Sequence, residues 1–151
     1  AVRNALGADV RQTRPVPNAI YTFPEIASVG LTTKQAQENN IPIRVGEFPI
    51  GFLGKAMAVG EGFGFVRVIR HFEDHSLLGV HMIGHNATEV IESATAMLTL
   101  NASAHDLAEM IFAHPTLSEA VKEAAEDAFQ NALHLPPRQV TRMAIATETI
   151  K

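Results

Sequence analysis

His114 and Glu119 are the two residues of this sequence whose types and spacing best suit chemistry. They stand five residues apart in the stretch AHPTLSE, residues 113–119, between two segments of helical pattern. If a helix begins near Thr116, Glu119 lies in its first turn and the preceding imidazole can fold back toward the carboxylate. A carboxylate that accepts a proton from one ring nitrogen fixes the tautomer and strengthens the other nitrogen as a base. The spacing therefore predicts the histidine–carboxylate half of a catalytic triad, without its nucleophile.

A purely structural interpretation of the same stretch stays open at this point. Thr116 and Glu119 have the spacing of a capping box, in which the hydroxyl accepts an amide of the first turn and the carboxylate returns to the amide of the cap. Pro115 would then only mark the start of a helix. His114 is the residue that this interpretation leaves unexplained.

Three stretches, in the same order along the chain, resemble the flavin-dependent disulfide oxidoreductases. HPTLSEAVKEAA, residues 114–125, is similar to the signature that closes the C-terminal domain of that family. YTFPEIASVGLT, residues 21–32, resembles the segment that opens the same domain, and GVHMIG, residues 79–84, resembles its central strand. The resemblance extends from about Val16 to Pro137, and within the family it is strongest to the dihydrolipoamide dehydrogenases.

The resemblance implies an α+β interface domain: a roughly five-stranded antiparallel sheet with helices packed on one side, through which two subunits form a homodimer. It implies that His114 takes a proton from a substrate thiol in the partner subunit, and that Glu119 orients the ring. It further implies backbone contacts from His114 and Pro115 to the FAD of the partner subunit, with a cis peptide between these two residues. A base suits this place, because the thiolate is the nucleophile in disulfide exchange.

By the same resemblance, the parent enzyme would use FAD and NAD to oxidise dihydrolipoamide carried on a lipoyl domain. The isolated domain should be inactive and bind neither cofactor, since it has a base but no nucleophile and no hydride carrier. Two alternatives stay open: a non-catalytic oligomerisation module, and the same domain from a glutathione-reductase-like enzyme. A free-standing hydrolase or metalloprotein is disfavoured, because the sequence contains neither a GxSxG elbow nor an HExxH helix.

Composition and charge are those of a globular domain. The 151 residues are 46% hydrophobic and 19% charged, with no apolar run long enough to span a membrane. The formal net charge of -4 gives no excess of positive charge that would attract polyanions, so neither a nucleic acid nor a membrane partner is expected. The chain has no cysteine and hence no redox-active dithiol of its own. We therefore expect one domain of a longer, cytoplasmic polypeptide.

Three parts are expected along the chain. By the same resemblance, residues 1–17 should be the end of a flavin-domain helix and a linker, residues 18–137 the interface domain, and residues 138–151 a C-terminal tail. Gly60, Gly62 and Gly64 do not form a dinucleotide-binding fingerprint, because Phe65 stands where a further glycine is required.

Hydrophobic patterning predicts the elements that must position the site. Strands are expected at 19–22, 29–31, 43–48, 63–69 and 77–83, with a further one beginning at Met57 after a long loop at 49–55. Together they predict a meander of about five antiparallel strands, with Arg67 and Arg70 facing water. Helices should begin near Thr32, Thr88 and Ser103, and a last helix should run from Leu117 to about Leu133.

Two histidine pairs, His71 with His75 and His81 with His85, have the four-residue spacing of ligands on a helix. Neither pair falls on a predicted helix, and the chain has no cysteine to complete a site. We interpret both pairs as turn or strand-end residues and predict no metal site. Glu25 is likewise assigned to turn or partner contacts and not to chemistry.

Overall fold

A five-stranded antiparallel sheet organises the structure, a computed structural model that describes residues 2–9 and 14–136. The strands are β1 (Asn18–Ile20), β2 (Glu25–Gly30), β3 (Ile43–Pro49), β4 (Gly64–His71) and β5 (Leu77–Gly84). The helices are α1 (Val2–Ala5), α2 (Thr33–Glu38), α3 (Gly54–Val59), α4 (Ala87–Thr99), α5 (Ala104–Glu109) and α6 (Glu119–Asp127). The predicted α+β class and antiparallel sheet are confirmed. The expected tail at 138–151 lies outside the described residues.

The strand order is β1-β2-β5-β4-β3, with β5 in the middle as predicted. Strands β3, β4 and β5 form a meander, but β2 pairs with β5 and not with β3. The prediction of one continuous meander is therefore wrong. After β2 the chain passes through α2 and rejoins the sheet as β3 at its far edge. This strand order depends on long-range contacts, which local sequence patterns do not indicate.

One face of the sheet carries the hydrophobic core. Two rows of paired residues run across it: Val29, Val80, Val68 and Gly46 in one row, and Ala27, Met82, Val66 and Phe48 in the next. Helix α4 covers β2 and β5, α6 covers β3 and β4, and α5 packs against α6. The predicted arrangement of helices on one side is thus present, and it fixes both ends of the loop that carries His114.

Helix α6 lies directly against β3 because Gly46 on the strand meets Ala124 and Ala128 on the helix. A Cβ atom added to Gly46 would lie 2.1 Å from the Ala124 carbonyl oxygen and 2.2 Å from the Ala128 nitrogen. Asp127 adds a polar link, since its Oδ2 accepts the Glu47 N–H at 2.8 Å. The first turn of α6, which begins at Glu119, is held in place by this contact further along the helix.

The segment between β3 and β4 is helical and contains no strand. Residues Ile50–Phe52 form a 3₁₀ turn, α3 follows, and Gly60 ends it in the left-handed region with φ of 75°. Met57 and Val59 are exposed helix residues, so the prediction of a loop followed by a strand here is wrong. The buried residues of this segment are Ile50, Leu53 and Ala56, whose spacing of three is helical.

Arg70 is buried, contrary to the prediction that it faces water. Alternation along β4 places Arg70 on the same face as the buried Val68, which is the face that the helices cover. The guanidinium donates to the Ala128 carbonyl at 3.1 Å and lies 4.2 Å from the centre of the Phe129 ring. Burial lowers the pKa of Arg70, and the C-terminal carbonyls of α6 are favourable partners for a cation. Arg67, on the other face, is half-exposed and pairs with Glu47.

The helix boundaries agree with the sequence where a capping box marks them. Thr32 with Gln35 and Ser103 with Asp106 form the two predicted boxes. Thr88, however, lies inside α4, which is preceded by Asn86 in the left-handed region. Helix α6 covers only Glu119–Asp127, shorter than the predicted 117–133. No helix in the described part of the chain has the length and apolar character needed to span a bilayer.

Candidate active site

His114 lies in the loop between α5 and α6 and projects from the surface. Its side chain is 76% exposed, and Ile111 in the same loop is 93% exposed. The loop is fixed at both ends, because Leu107 on α5 and Leu117 just before α6 are buried in the core. The His114–Pro115 peptide is cis, as the resemblance implied. The fold therefore presents an exposed imidazole on a loop with firmly held ends.

The structure brings the two predicted site residues together. His114 Nδ1 lies 2.8 Å from Glu119 Oε1, and Glu119 Oε2 accepts the Thr116 N–H at 2.8 Å. Since a carboxylate only accepts hydrogen bonds, Nδ1 is the donor, which leaves Nε2 to act as an acceptor on the exposed side of the ring. One carboxylate thus fixes the tautomer of the ring and ties it to the loop backbone.

The structural alternative, a capping box from Thr116 to Glu119, is present only in its carboxylate half. The Thr116 hydroxyl donates to the Ala113 carbonyl at 2.8 Å and does not accept an amide of α6. Ser118 is the N-cap residue and makes no side-chain cap bond. Glu119 therefore binds the His114 ring as well as a backbone N–H at the start of the helix.

The charge on Glu119 is stabilised by its surroundings. Partial burial would raise the pKa of this carboxyl, but the hydrogen bonds from Thr116 and His114, together with the positive charges of His114 and His134, hold it below its ordinary value. The position in the first turn of α6 also suits a negative charge. Glu119 is accordingly a carboxylate at neutral pH and can stabilise an imidazolium at His114.

A second histidine–carboxylate pair lies one turn further along α6. Glu123 is buried, and its Oε1 lies 2.5 Å from His134 Nδ1 while its Oε2 accepts the His134 N–H at 3.3 Å. Sequence reasoning missed this pair. A helix continued to Leu133 would separate the two residues by roughly 16 Å, so only the early end of α6 lets the chain fold back. The positive φ of Gln130, 65°, marks that end.

His71, His75 and His81 each have a different polar partner. His71 Nδ1 lies 3.0 Å from Asp74 Oδ1, His75 Nδ1 lies 2.8 Å from Arg70 Nη1, and His81 Nε2 lies 2.9 Å from the Leu31 carbonyl oxygen. Within residues 2–9 and 14–136, no three His, Cys, Asp or Glu side chains are arranged to hold a metal ion.

Glu25 joins the start of β2 to the start of α4. Its Oε2 accepts the N–H of Thr88 at 3.0 Å and the hydroxyl of the same residue at 2.8 Å. These bonds lower the pKa of Glu25. The side chain borders an open hollow whose lining includes Phe23 and Phe63, both strongly exposed. The contact with Thr88 agrees with the structural role expected for this carboxylate.

The described part of the chain offers no dinucleotide fold of its own. Gly60 ends α3 and Gly64 begins β4, and every strand pair of the sheet is antiparallel. Dinucleotide folds instead use parallel strands with a glycine-rich turn that opens a helix.

Several curated relatives are named dihydrolipoyl dehydrogenase. Dihydrolipoyl dehydrogenase of Chlamydia muridarum is 41% identical over 138 residues, which are 91% of this chain and 30% of that protein. Dihydrolipoyl dehydrogenase of Bacillus subtilis is 43% identical over 119 residues, 79% of this chain and 25% of that protein. The mitochondrial dihydrolipoyl dehydrogenase of Pisum sativum is 42% identical over 120 residues, 80% of this chain and 24% of that protein. The chain thus spans less than a third of these relatives.

Solved structures share the fold. The HOCl-induced flavoprotein disulfide reductase RclA from Escherichia coli superposes with a TM-score of 0.73 at 22% identity, over 83% of this chain and 30% of that one. LpdA from Mycobacterium tuberculosis gives a TM-score of 0.71 at 25% identity, over 82% of this chain and 27% of that one. The family model of the pyridine nucleotide-disulphide oxidoreductase dimerisation domain matches residues 16–125. The chain therefore belongs to this dimerisation-domain family and resembles its dihydrolipoyl dehydrogenase members.

Proposed function

We propose that this chain is the interface domain of a dihydrolipoyl dehydrogenase and that it supplies His114 and Glu119 to the dithiol site of the partner subunit. The observation that carries the proposal is the exposed imidazole whose Nδ1 lies 2.8 Å from the Glu119 carboxylate. The names and identities of the curated relatives support the choice of enzyme. The parent enzyme would be a homodimer that binds FAD and NAD and oxidises dihydrolipoamide on a lipoyl domain.

His114 would act as the acid–base group of this reaction. Its Nε2 takes the proton from a substrate thiol, so that the sulfur becomes the thiolate that disulfide exchange requires. The Glu119 carboxylate stabilises the imidazolium that results and keeps the ring in place. General acid–base catalysis of this kind contributes about 10²–10⁴-fold to a rate. FAD and NAD supply the redox chemistry when bound, and the backbone at His114 and Pro115 would contact the flavin.

The exposure of the loop supports delivery of the imidazole to a second subunit. Ile111, three residues before His114, is almost fully exposed, so the loop offers an apolar side chain beside the imidazole for contact with a partner. On its own the domain should be inert, because a base without a nucleophile has nothing to act on.

The remaining assignments belong to the same proposal. Residues 18–137 would form the interface domain, residues 1–17 would connect it to a preceding flavin domain, and residues 138–151 would be a C-terminal tail. The cytoplasmic location expected from the sequence stays a prediction, since the relative from Pisum sativum is named as mitochondrial.

The test is His114→Gln in the longer enzyme that contains this chain. We expect the rate of dihydrolipoamide oxidation to fall by about 10²-fold or more, because the thiol loses its base. The flavin content, measured by absorbance, should stay unchanged. His105→Gln is the matched control, since His105 is also exposed and also lies close to a carboxylate, Glu109, at 3.6 Å.

Two results would contradict the proposal. Unchanged turnover in His114→Gln would remove the catalytic role and favour the non-catalytic oligomerisation module. A parent enzyme that reduces glutathione disulfide and leaves dihydrolipoamide untouched would favour the glutathione-reductase-like alternative.

A further inference from the structure

We propose that the sheet face opposite α4 and α6 is the surface on which the preceding domain of the longer enzyme docks. The inference rests on the proposed function, in which residues 1–17 connect the two domains, and it deepens that function by assigning their contact surface. This surface, the open face, consists of an apolar row with two phenylalanines in the loops that flank it: Ile20, Ile26, Ile83, Phe65 and Pro49 in the row, with Phe23 and Phe63 beside it.

The apolar row crosses all five strands of the sheet. Its members pair from strand to strand in the order Ile20, Ile26, Ile83, Phe65 and Pro49. From β2 to β3, each member stands next to a residue of the buried row that runs from Ala27 to Phe48. Because successive side chains of a strand point to opposite faces of the sheet, the apolar row points away from α4 and α6.

One end of the same side of the sheet is covered by the chain itself, and the apolar residue there is buried. A Cβ atom added to Gly79 would lie 2.2 Å from the Leu31 carbonyl oxygen, so the connection from β2 to α2 crosses the sheet at this point. Ile69, opposite Gly79 on β4, is fully buried. In the apolar row, by contrast, Ile20 and Ile26 are 52% and 37% exposed. The open face thus has the composition of a covered surface while its side chains remain accessible.

The two flanking phenylalanines extend the apolar surface beyond the ends of the strands. Phe23 and Phe63 are 87% and 70% exposed, and they line one hollow together. Phe63 comes directly before β4, which carries Phe65, and Phe23 comes just before β2, which carries Ile26. Contiguous apolar patches, unlike single exposed residues, mark surfaces that meet another protein.

The polar groups next to the apolar row already have partners within the chain. Arg67 Nη2 lies 2.6 Å from Glu47 Oε2, and His81 Nε2 lies 2.9 Å from the Leu31 carbonyl oxygen. Glu25 accepts two hydrogen bonds from Thr88. These groups therefore require no counter-charge from outside, and the surface that docks here is expected to be apolar.

The length of the connecting segment points to the preceding domain as the occupant. Helix α1 buries none of its residues, as expected of a helix that packs on a different domain. The eight residues 10–17 can span at most about 29 Å. A domain of 100–150 residues has a radius of gyration of about 13–15 Å, so the preceding domain is held close to β1, the edge strand that carries Ile20. On the other side, α4 already covers β2, which leaves the open face as the surface within reach.

The experiment measures the oxidation of phenylalanine side chains by hydroxyl radicals in the longer enzyme, with mass spectrometry as the readout. Phe23 and Phe63 are 87% and 70% exposed in this chain, and Phe72, which follows the opposite end of β4, is 46% exposed. If the open face is free, the three residues should be oxidised in that order. A docked domain should reverse the order, with Phe23 and Phe63 oxidised about three-fold or more slowly than Phe72, because interface centres are packed like protein interiors.

Ile26→Lys and Val45→Lys are matched variants for the same measurement. The two residues are 37% and 38% exposed, but Val45 lies on β3, three strands away from β2. A lysine at position 26 would have to be desolvated under the docked domain, which is costly. Ile26→Lys should therefore return the oxidation of Phe23 and Phe63 to the order of their exposed fractions, whereas Val45→Lys should leave both protected. The wild-type measurement decides the matter even if Ile26→Lys does not fold.

The 151-residue chain on its own separates the preceding domain from a second copy of this chain. Oxidation of Phe23, Phe63 and Phe72 should follow their exposed fractions at every chain concentration. Protection of Phe23 and Phe63 that increases with concentration would assign the open face to a second copy and overturn the inference. Oxidation in the order of exposure in the longer enzyme would overturn it as well.

The inference and the function on which it rests fail separately. If His114→Gln leaves turnover unchanged, the proposed function is wrong, although protection of Phe23 and Phe63 in the longer enzyme would still identify the docking surface. If His114→Gln abolishes turnover while Phe23 and Phe63 are oxidised faster than Phe72, His114 keeps its role and the open face loses the one proposed here.

Discussion

At the scale of single residues, the two oxygens of Glu119 have separate tasks. Oε1 meets the His114 ring and Oε2 accepts the Thr116 N–H, so one carboxylate serves both the site and the start of α6. Any replacement at this position is therefore expected to affect catalysis and stability together. A pair five residues apart on a loop and a helix start could be predicted from the sequence, because the contact is local.

Glu119→Gln tests the contribution of this carboxylate to stability. The folded-state pKa of Glu119 lies below its ordinary value of 4.5, so its ionisation stabilises the fold above that value, and the contribution is lost as the pH falls through the folded-state pKa. At neutral pH the variant should be less stable by about 1 kcal/mol. Urea denaturation at a series of pH values should show this difference shrinking on the acid side.

The control for that series is Glu109→Gln, which removes an exposed carboxylate that also lies near a histidine. Its stability should change little at any pH. A difference between wild type and Glu119→Gln that is the same at all pH values would mean that the ionisation of Glu119 plays no part. In the longer enzyme, Glu119→Gln should lose less turnover than His114→Gln, since the base itself is retained.

The contact between Glu123 and His134 could not be predicted from the sequence. It depends on α6 ending at Asp127 and on the left-handed conformation of Gln130. The alanine-rich sequence continues to favour helix beyond that point. The packing of the following segment against α6 decides where the helix ends, and no local sequence pattern indicates that packing.

At the scale of the elements, the close approach of α6 to β3 is the contact on which the site depends. Gly46→Ala would place a Cβ atom 2.1 Å from the Ala124 carbonyl oxygen and force the helix away from the strand. We expect a loss of about 3 kcal/mol in the free energy of unfolding, measured by urea denaturation. The His114 loop, which leads directly into α6, should show shifted NMR signals.

Gly54→Ala is the matched control for this prediction. An added Cβ atom at Gly54 meets nothing within 4 Å, and the residue begins α3, where alanine is the better helix former. It should leave stability unchanged or raise it by about 0.5 kcal/mol. Equal effects of the two substitutions would refute the idea that α6 requires a glycine beneath it.

Elements that a short sequence pattern marks, such as a capping box or an apolar run, could be predicted. Elements that tertiary contacts determine could not. The capping boxes at Thr32 and Ser103 and the apolar strand β5 agree with the structure. Met57 and Arg70 both differ from the prediction. Met57 lies in the short helix α3 and not in a strand. Arg70 lies on the core face of β4, where the Ala128 carbonyl and the Phe129 ring accommodate a charge that is usually found at the surface.

At the scale of the whole molecule, membership of the dimerisation-domain family predicts an assembly of two chains. Light scattering of the wild-type chain should give the mass of two chains. Ile111→Asp should shift that mass toward one chain at the same concentration, because a charge beside the site would have to be desolvated in the interface. A wild-type mass of one chain at high concentration would count against the homodimer.

Met57→Asp provides the comparison for this experiment. Met57 is also an exposed apolar residue, but it lies on α3, away in sequence from the loop of His114. Its substitution should leave the measured mass unchanged. A loss of the two-chain species in both variants would indicate a general effect of added charge and not a surface centred on Ile111.

The buried Arg70 has a consequence for how the opening of this domain can be observed. Its partners lie in two places: the Ala128 carbonyl at the end of α6, and the His71 and Phe72 carbonyls with His75 Nδ1 in the turn after β4. A dicarbonyl reagent, which modifies guanidinium groups that are accessible in water, would reach this side chain only after these covering groups have moved. The rate of covalent labelling at Arg70 would therefore report how often the domain opens at this place.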